Sequence, residues 1–187
     1  MSEVTAVPLH PIAKGSLTKL WLGVATVLLV AVGAAYVGTQ KQVVQAMTPE
    51  EFLASNARHA GVVQTPSGLQ YQVIKQGHGP RPTASDMVLV QYEGKLLSGK
   101  VFDTTKTDGN PRPLSIVGTI PGWAEGLQLM NQGSTYRFWM PPNLAYGPNG
   151  TSDGIIPPNS VIAFEVELLA VAPAQGMGGM PPGHGGM

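Results

Sequence analysis

Apolar and polar residues alternate along four segments of the chain, and this period of two predicts strands that bury one face. The four segments are 69–74, 87–96, 135–140 and 161–171. In the last segment one face carries Ile162, Phe164, Val166 and Leu168. Glu165 and Glu167 fall on the other face, as expected for an antiparallel sheet with one side in water.

Two short helices accompany these strands. Trp123, Leu127 and Met130 recur at helical spacing and predict a helix with one buried face. A second helix is predicted over residues 49–59, because Thr48 and Glu51 form a capping box around a proline suited to the first helical position. We interpret this second helix as a connector, the alternative being a docking helix. The helix at 123–130 is the one that lies among the strands, and several antiparallel strands with one helix among them indicate an α+β fold.

An uncharged apolar run occupies residues 20–38. As a helix it would span about 28 Å, close to the hydrocarbon thickness of a bilayer. Trp21 and Tyr36 lie near its ends, where aromatic rings favour the membrane interface. The run therefore predicts a transmembrane anchor.

Lysines on both sides of this run set its expected orientation. Lys14 and Lys19 precede it and Lys41 follows it, so the positive-inside rule predicts residues 1–19 in the cytoplasm and the rest of the chain outside. The alternatives are a signal peptide cleaved near the small residues 33–35, and a buried helix of a soluble protein. The expected order is then a linker over 39–66, a folded domain over 67–172 and a disordered tail over 173–187, rich in glycine, methionine and proline.

Composition excludes several kinds of function. The 187 residues suffice for one ordinary domain with appendages. With 11 basic and 11 acidic residues and no basic stripe, nucleic acid is not an expected partner. The absence of cysteine rules out disulfides and thiolate chemistry. Soft donors for copper(I) occur in the tail at Met177, Met180, His184 and Met187. Their spacing is loose, so we expect no metal site.

A tyrosine beside an apolar, proline-stiffened loop is the main candidate for chemistry. Tyr146 lies between Ala145 and Gly147, and the sequence Gly-Ile-Ile-Pro-Pro follows at 154–158. Neither segment contains a strong acid, a base or a nucleophile. Such a site suits an uncharged apolar ligand, for example a proline ring, and suits acyl, phosphoryl or hydride transfer poorly.

Five ordered motifs carry a family resemblance. They are Val90–Gly94, Gly99–Asp103, Ile120–Gly126, Ala145–Gly147 and Gly154–Pro158. Together they resemble the FKBP-type peptidyl-prolyl cis-trans isomerase family. The lead-in over 61–71 resembles its bacterial exported branch, with macrophage-infectivity-potentiator-like catalytic domains. The resemblance implies a twisted antiparallel sheet wrapped around one short α-helix.

The resemblance also implies a site. The expected catalytic residues are Phe102, Asp103, Ile120, Trp123 and Tyr146, and the expected substrate-binding residues are Tyr92, Ile155, Ile156 and Phe164. In the family, the indole forms the floor for a proline ring, and the backbone N–H and the hydroxyl at the positions of Ile120 and Tyr146 bond substrate carbonyls. The chain departs from the family pattern at the loop 110–114, which lacks an aromatic residue, at Thr119, and in the loop 148–153.

The activity implied by the resemblance is isomerisation of X–Pro bonds in unfolded or partly folded clients, without a cofactor. Macrolide inhibitors are expected ligands. The expected location is the bacterial inner membrane, with the domain in the periplasm, or the soluble periplasm after cleavage. A non-catalytic chaperone or assembly-binding module using the same pocket is the alternative. We expect a monomer.

Overall fold

The computed structural model describes residues 19, 21–34, 47–107 and 109–174. The chain divides into two compact units, Met1–Val43 and Val44–Met187. In the first unit, residues 21–34 are helical and their side chains are exposed. Among the residues described, no helix combines the length and the apolar character of a membrane span. The rest of the predicted anchor, most of residues 1–19 and the tail from 175 lie outside the described residues.

Strands and two α-helices build the second unit. The strands are β1 (Val62–Gln64), β2 (Gln70–Lys75), β3 (Met87–Leu96), β4 (Val101–Thr104), β5 (Arg112–Ser115), β6 (Thr135–Met140) and β7 (Ile162–Ala172). The helices are α1 (Pro49–Asn56) and α2 (Pro121–Leu129). Three single 3₁₀ turns cover Ile116–Gly118, Pro142–Leu144 and Gly147–Asn149.

All strand pairs are antiparallel, and the sheet order is β1-β2-β6-β7-β3-β4. β3 pairs with β7 along its whole length. On its other side β3 pairs with β5 over residues 87–90 and with β4 over residues 93–95. β3 and β7 are therefore the centre of the sheet, with β4 and β5 sharing one edge.

The predicted alternation holds in the central strands. The buried side chains of β3, β6 and β7 include Val88, Val90, Tyr92, Tyr136, Phe138, Met140, Ile162, Phe164, Val166 and Leu168. We call the face that carries them the inner face. Helix α2 contributes Trp123 and Leu127 to the same core. Met130, the C-cap residue of α2, also belongs to this core. A Cβ at Gly126 would lie 2.9 Å from the Phe138 ring, so glycine allows α2 to approach the sheet closely.

The alternation predicted over residues 69–74 fails in the second half of β2. Leu69 and Gln70 are fully buried, whereas Val73 is 40% and Ile74 48% exposed. Consecutive strand residues point to opposite faces, so this end of β2 is covered on neither side. Two short strands also lie where the sequence predicts a lead-in and a loop, namely β1 and β5. Pro113 fits in β5 because that strand lies at a sheet edge.

Helix α1 begins as the capping box predicts and ends at Asn56, three residues before the predicted end. The Thr48 N–H donates to Glu51 Oε2 at 2.9 Å, and the Glu51 N–H donates to Thr48 Oγ1 at 3.2 Å. The helix is not a free connector, because Asn56 Nδ2 donates to Gln70 Oε1 at 2.8 Å. Gln70 Nε2 in turn donates to the carbonyl oxygen of Leu53 and to Gln64 Oε1, each at 2.8 Å.

These contacts place α1 on the face of the sheet opposite to α2. Gln70 pairs with Trp139, whose neighbour Phe138 points to the inner face. Gln70 therefore lies on the other side, which we call the outer face, and α1 covers it there. The sheet thus has a helix on each face.

Candidate active site

A cleft of about 230 Å³ opens on the inner face, at the beginning of α2. Its lining residues are Tyr92, Asp103, Leu114, Gly118, Thr119, Ile120, Trp123, Tyr146 and Phe164. Six of the nine predicted site residues are among them. The cleft is therefore the place where most of the predicted site comes together.

The central strands position two walls of the cleft. Tyr92 on β3 and Phe164 on β7 belong to the alternating inner-face set, so regular strand geometry points both rings into the core. Ile120 caps the N-terminus of α2, and Pro121 fixes the first helical residue. Trp123 follows in the first turn of the helix. The start of α2 thereby lies at the mouth of the cleft.

A β-bulge in β4 explains how the consecutive residues Phe102 and Asp103 both reach the inner face of the sheet. Asp103 pairs with Gly94, and Val101 pairs with Lys95, so Phe102 is an extra residue on β4. Such a residue breaks the alternation of side chains and bends the strand. The Phe102 ring consequently contacts the inner-face ring of Phe164, while Asp103 lines the cleft.

Four aromatic rings form one interlocked cluster. The Phe164 ring meets Trp123 at a centroid distance of 5.0 Å, Phe102 at 5.4 Å and Tyr92 at 6.0 Å, each edge to face. Tyr92 and Trp123 also meet edge to face, at 5.1 Å. These distances and angles are those that aromatic pairs favour. Each ring is held by at least one other, so the apolar surface of the cleft is preorganised.

The one carboxylate of the cleft is held by a buried tyrosine. The Tyr92 hydroxyl donates to Asp103 Oδ2 at 2.7 Å. Burial, and then the hydrogen bond to Asp103, raise the pKa of Tyr92 to about 12. Tyr92 is consequently neutral at ordinary pH and remains a donor to Asp103. Thr105 fixes the same strand, since its Oγ1 accepts from the Tyr92 N–H at 2.8 Å.

The Ile120 N–H and the Tyr146 hydroxyl are unused hydrogen-bond donors at the cleft. Within residues 47–107 and 109–174, neither the Ile120 N–H nor the Tyr146 hydroxyl has a hydrogen-bond partner. Burial raises the pKa of Tyr146, so its hydroxyl also stays protonated. The carbonyl oxygen of Ile120 accepts from the backbone N–H groups of Trp123 and Ala124 at 2.9 and 3.0 Å, and these bonds fix Ile120 at the helix start. Both donors are available to carbonyl oxygens of a ligand.

Three predicted residues do not line the cleft. Phe102 contacts the Phe164 ring but is not among the lining residues. Ile156 is 3% exposed and belongs to the hydrophobic core, whereas Ile155 is 41% exposed. The loop is folded on itself, because the Ile156 N–H donates to Thr151 Oγ1 at 2.9 Å and the Ile155 N–H donates to Asp153 Oδ1 at 3.0 Å. These bonds turn the two isoleucines to different sides.

Three lining residues were not assigned to the site from the sequence. Leu114 belongs to β5, where the sequence predicts no strand, so alternation could not assign its side. Gly118 is the last residue of the 3₁₀ turn before α2, and Thr119 is the C-cap of that turn. Thr119 Oγ1 donates to the carbonyl oxygen of Ile116 at 2.8 Å, so its hydroxyl is used within the turn. The position of Thr119 directly before the Ile120 motif was the available signal.

The cleft therefore offers an apolar surface with unused hydrogen-bond donors, and little reactive chemistry. In the described part of the chain, no cluster of three or more His, Asp or Glu side chains is placed to hold a metal ion. Asp103 is the only carboxylate that lines the cleft, and it already accepts a hydrogen bond. The arrangement suits an uncharged apolar ring flanked by carbonyl groups.

Comparisons with known proteins agree with this geometry. Residues 79–169 match a family model described as FKBP-type peptidyl-prolyl cis-trans isomerase, and residues 34–73 match one described as the domain amino terminal to it. The FKBP-type peptidyl-prolyl cis-trans isomerase FkpA of Aeromonas hydrophila is 50% identical over 122 residues, which are 65% of this chain and 45% of that protein. The outer membrane protein MIP of Legionella longbeachae is 44% identical over 125 residues, or 67% and 53%.

Solved structures show the same fold. The crystal structure of FkpA from Escherichia coli superimposes with a TM-score of 0.65 at 36% identity, covering 87% of this chain and 75% of that chain. A peptidyl-prolyl cis-trans isomerase from Pseudomonas syringae gives 0.63 at 34% identity, covering 67% and 91%. The chain spans about half the length of the first curated relatives it matches.

Proposed function

This chain belongs to the FKBP-type peptidyl-prolyl cis-trans isomerase family, and we propose that it catalyses rotation about X–Pro bonds in protein clients. The observation that carries the proposal is the cleft itself. An aromatic cluster, two unused donors and no free nucleophile or base are what a rotation of this kind requires. The proposal needs no cofactor.

The energetics of amide rotation fit such a cleft. Rotation about a peptide bond crosses a barrier of about 18–20 kcal/mol, because the planar amide is stabilised by resonance. Twisting the bond removes the resonance and lowers the charge separation, so an apolar site favours the twisted form over the planar one. A thousandfold acceleration needs only about 4 kcal/mol of preferential stabilisation. No covalent bond breaks, so no nucleophile takes part.

The aromatic residues of the cluster each have a role in this proposal. Trp123 forms the floor under the proline ring, and Tyr92 and Phe164 form walls that the edge-to-face contacts hold in place. Phe102 supports the Phe164 ring.

Polar groups fix the peptide. The Ile120 N–H and the Tyr146 hydroxyl donate to carbonyl oxygens of the client on either side of the rotating bond. Asp103, oriented by Tyr92, borders the space in which the amide twists. Ile155 is exposed and available to a longer client chain, while Ile156 acts from the core by fixing the loop.

Isomerisation of a short proline peptide tests the proposal. The full chain, solubilised in detergent, is compared with Asp103→Ala and Phe164→Ala. We expect kcat/KM to fall at least tenfold in both, since a hydrogen bond to a charged group is worth about 1.5–3 kcal/mol and the aromatic wall more. Asp103→Ala is the sharper variant because Asp103 lies on a short edge strand, outside the hydrophobic core. Undiminished turnover in both would count against the assignment.

A client-binding module is the second candidate, favoured by exposed apolar residues outside the core. Val117, two positions before Thr119 of the cleft lining, is 75% exposed, and Tyr146 in the lining is 38% exposed. Such residues could hold unfolded chains without catalysis. Suppression of client aggregation by Asp103→Ala, at the level of the unchanged chain, would favour this second function; parallel loss of both activities would favour isomerisation.

We also propose that residues 20–38 direct the second unit to the periplasm and hold it at the inner membrane. The run is uncharged, lysines precede it, and residues 21–34 are helical. Spheroplasts test this location: protease added outside should digest the second unit, and without protease the second unit should remain with the membrane fraction. Protection from protease would contradict export. Release into the soluble fraction, with a shortened N-terminus by mass spectrometry, would indicate cleavage.

A further inference from the structure

Gly94 on β3 lies under the aromatic cluster of the cleft. It pairs with Phe164 on one side and with Asp103 on the other, and it shares the inner face with Tyr92. A Cβ built on Gly94 would lie 2.5 Å from Phe164 Cε1 and 2.8 Å from Phe102 Cζ. Carbon atoms in contact need about 3.5–4.0 Å. Two rings therefore occupy space that any other residue at position 94 would claim.

The shape of the cleft depends on this missing side chain. The Phe164 ring is in contact with the backbone of Gly94 on one part of its surface and with Trp123 and Tyr92 on others. A methyl group at position 94 would push the ring away from β3, and its other neighbours are the floor and a wall of the cleft. The displacement would make the cleft shallower.

We propose that Gly94 is a positioning residue that sets the depth of the cleft and thereby the largest cyclic residue it accepts at the position of proline. Gly94 touches no client in this account; it acts through Phe164 and Phe102. This inference rests on the proposed isomerase function, which it extends to ring-size selection. The backbone conformation is not the reason for glycine here, since Gly94 has no positive φ.

Ring size gives a readout that a merely structural role would not change. Peptides containing azetidine-2-carboxylate, proline or pipecolate differ by one methylene at each step, from a four- to a six-membered ring. A methylene in an apolar pocket is worth about a tenfold change in kcat/KM or more. For Gly94→Ala we expect the preference for pipecolate over azetidine, relative to the unchanged chain, to fall about tenfold or more.

Gly79→Ala is the control for crowding. A Cβ at Gly79 would lie 2.6 Å from Gln132 Cβ, so this variant is crowded as Gly94→Ala is. Neither Gly79 nor Gln132 lines the cleft. The control should destabilise the domain by crowding, yet the ratio of the pipecolate and azetidine rates should stay as in the unchanged chain. Equal changes of that ratio in Gly94→Ala and Gly79→Ala would overturn the proposal.

A double variant covers the case in which Gly94→Ala does not fold. In Gly94→Ala/Phe164→Leu the atom closest to the new methyl group is removed, and Phe102 gains space to shift. We expect this double variant to fold and the effect of Gly94→Ala on the ring-size ratio to be smaller in the Phe164→Leu background. Failure of both variants to fold would overturn the proposal, since the methyl group would then clash with something other than these rings.

Binding is measured beside catalysis, with dissociation constants of the three peptides for each variant. If the unchanged chain binds the peptides without accelerating their isomerisation, the proposed function fails while the affinity ratio still tests Gly94. If it accelerates isomerisation and Gly94→Ala keeps the ring preference, the proposed function stands and the role of Gly94 is overturned.

Discussion

The two faces of the sheet differ in what a residue contributes, and β7 shows this within two neighbouring positions. Phe164 is 3% exposed on the inner face and contacts three other rings. Glu165, on the outer face, pairs with Arg137 at 2.8 Å and with Lys106 at 3.5 Å, in contact with water. On the inner face a change in side-chain volume disturbs close packing and lowers stability, whereas exposed ion pairs on the outer face contribute little and are screened by salt.

The outer face has one exception, and it lies under α1. There Gln70 is fully buried and makes hydrogen bonds to α1 and to Gln64. The inner face holds its helix by apolar contacts, and the outer face holds its helix by hydrogen bonds of the fully buried Gln70 amide. A polar residue of the outer face therefore contributes to stability when a helix covers it, as α1 covers Gln70.

Replacement of the neighbours Phe164 and Glu165 by alanine should give the largest contrast. Phe164→Ala should cost about 3–5 kcal/mol of unfolding free energy, because it leaves a cavity in the core. Glu165→Ala should cost about 1 kcal/mol or less. Urea unfolding of both variants measures the difference. Similar losses would remove the distinction between the faces.

Gln70→Ala tests whether the buried amide under α1 stabilises the domain, unlike the exposed polar residues of the outer face. The change leaves the side chains of Asn56 and Gln64 and the carbonyl of Leu53 without this partner, at about 1–3 kcal/mol for each group that stays buried and unpaired. Gln72→Ala is the control, since Gln72 lies on the same face of β2 and makes one exposed contact, to the carbonyl oxygen of Ala60 at 3.3 Å. Denaturation should separate the two variants, while isomerase activity per folded molecule stays the same. An equal effect of both would show that the buried amide network does not hold α1.

Tyr92→Phe should change the alkaline stability of the domain. The folded pKa of about 12 lies above the usual 10.0, so the neutral phenol stabilises the fold below pH 10 and this contribution is lost as pH rises from 10 to 12. Without the hydroxyl, the decline over this range should be shallower, and stability at neutral pH should be lower by about 1–3 kcal/mol. Unfolding free energies measured between neutral and alkaline pH check this. An unchanged slope would contradict burial of the Tyr92 hydroxyl.

Arg137→Gln, on the outer face, should have the smallest effect. The hydrogen bond from Arg137 lowers the pKa of Glu165, so the pair stabilises the fold above the unfolded pKa and the contribution disappears as pH falls through the folded pKa. We expect a loss of less than about 1 kcal/mol at neutral pH, reduced further by salt. A salt-independent loss of several kcal/mol would place this pair among the structural contacts.

Sequence patterns predicted the regular parts of this structure for a physical reason. The alternation in β3, β6 and β7 arises because each strand buries one face, so it is visible in the sequence. The capping box of α1 involves residues three positions apart, so it too is visible in the sequence. The depth of burial of Gln70 was not predictable, because it depends on α1 docking from 14 residues away in the sequence. Nor could alternation place Phe102, since the β-bulge that turns it inward depends on the register between β3 and β4.

The same limit applied to the candidate site. Tyr92, Trp123 and Phe164 carry the periodicity of their strand or helix, so their faces followed from the sequence and the motifs named them. Ile155 and Ile156 are adjacent and chemically alike, yet one is exposed and the other buried in a loop that hydrogen bonds to Asp153 and Thr151 fold on itself. Local loop geometry of this kind leaves no period in a sequence.

The most direct test of the inner-face site is NMR exchange spectroscopy on a proline peptide with a small amount of the full chain. We expect exchange peaks between the cis and trans peptide forms. Tyr146→Phe should weaken them about tenfold through loss of one unused donor, with little change in the stability of the fold. Peptide shifts that report binding, without any acceleration of cis–trans exchange by the unchanged chain, would contradict this expectation.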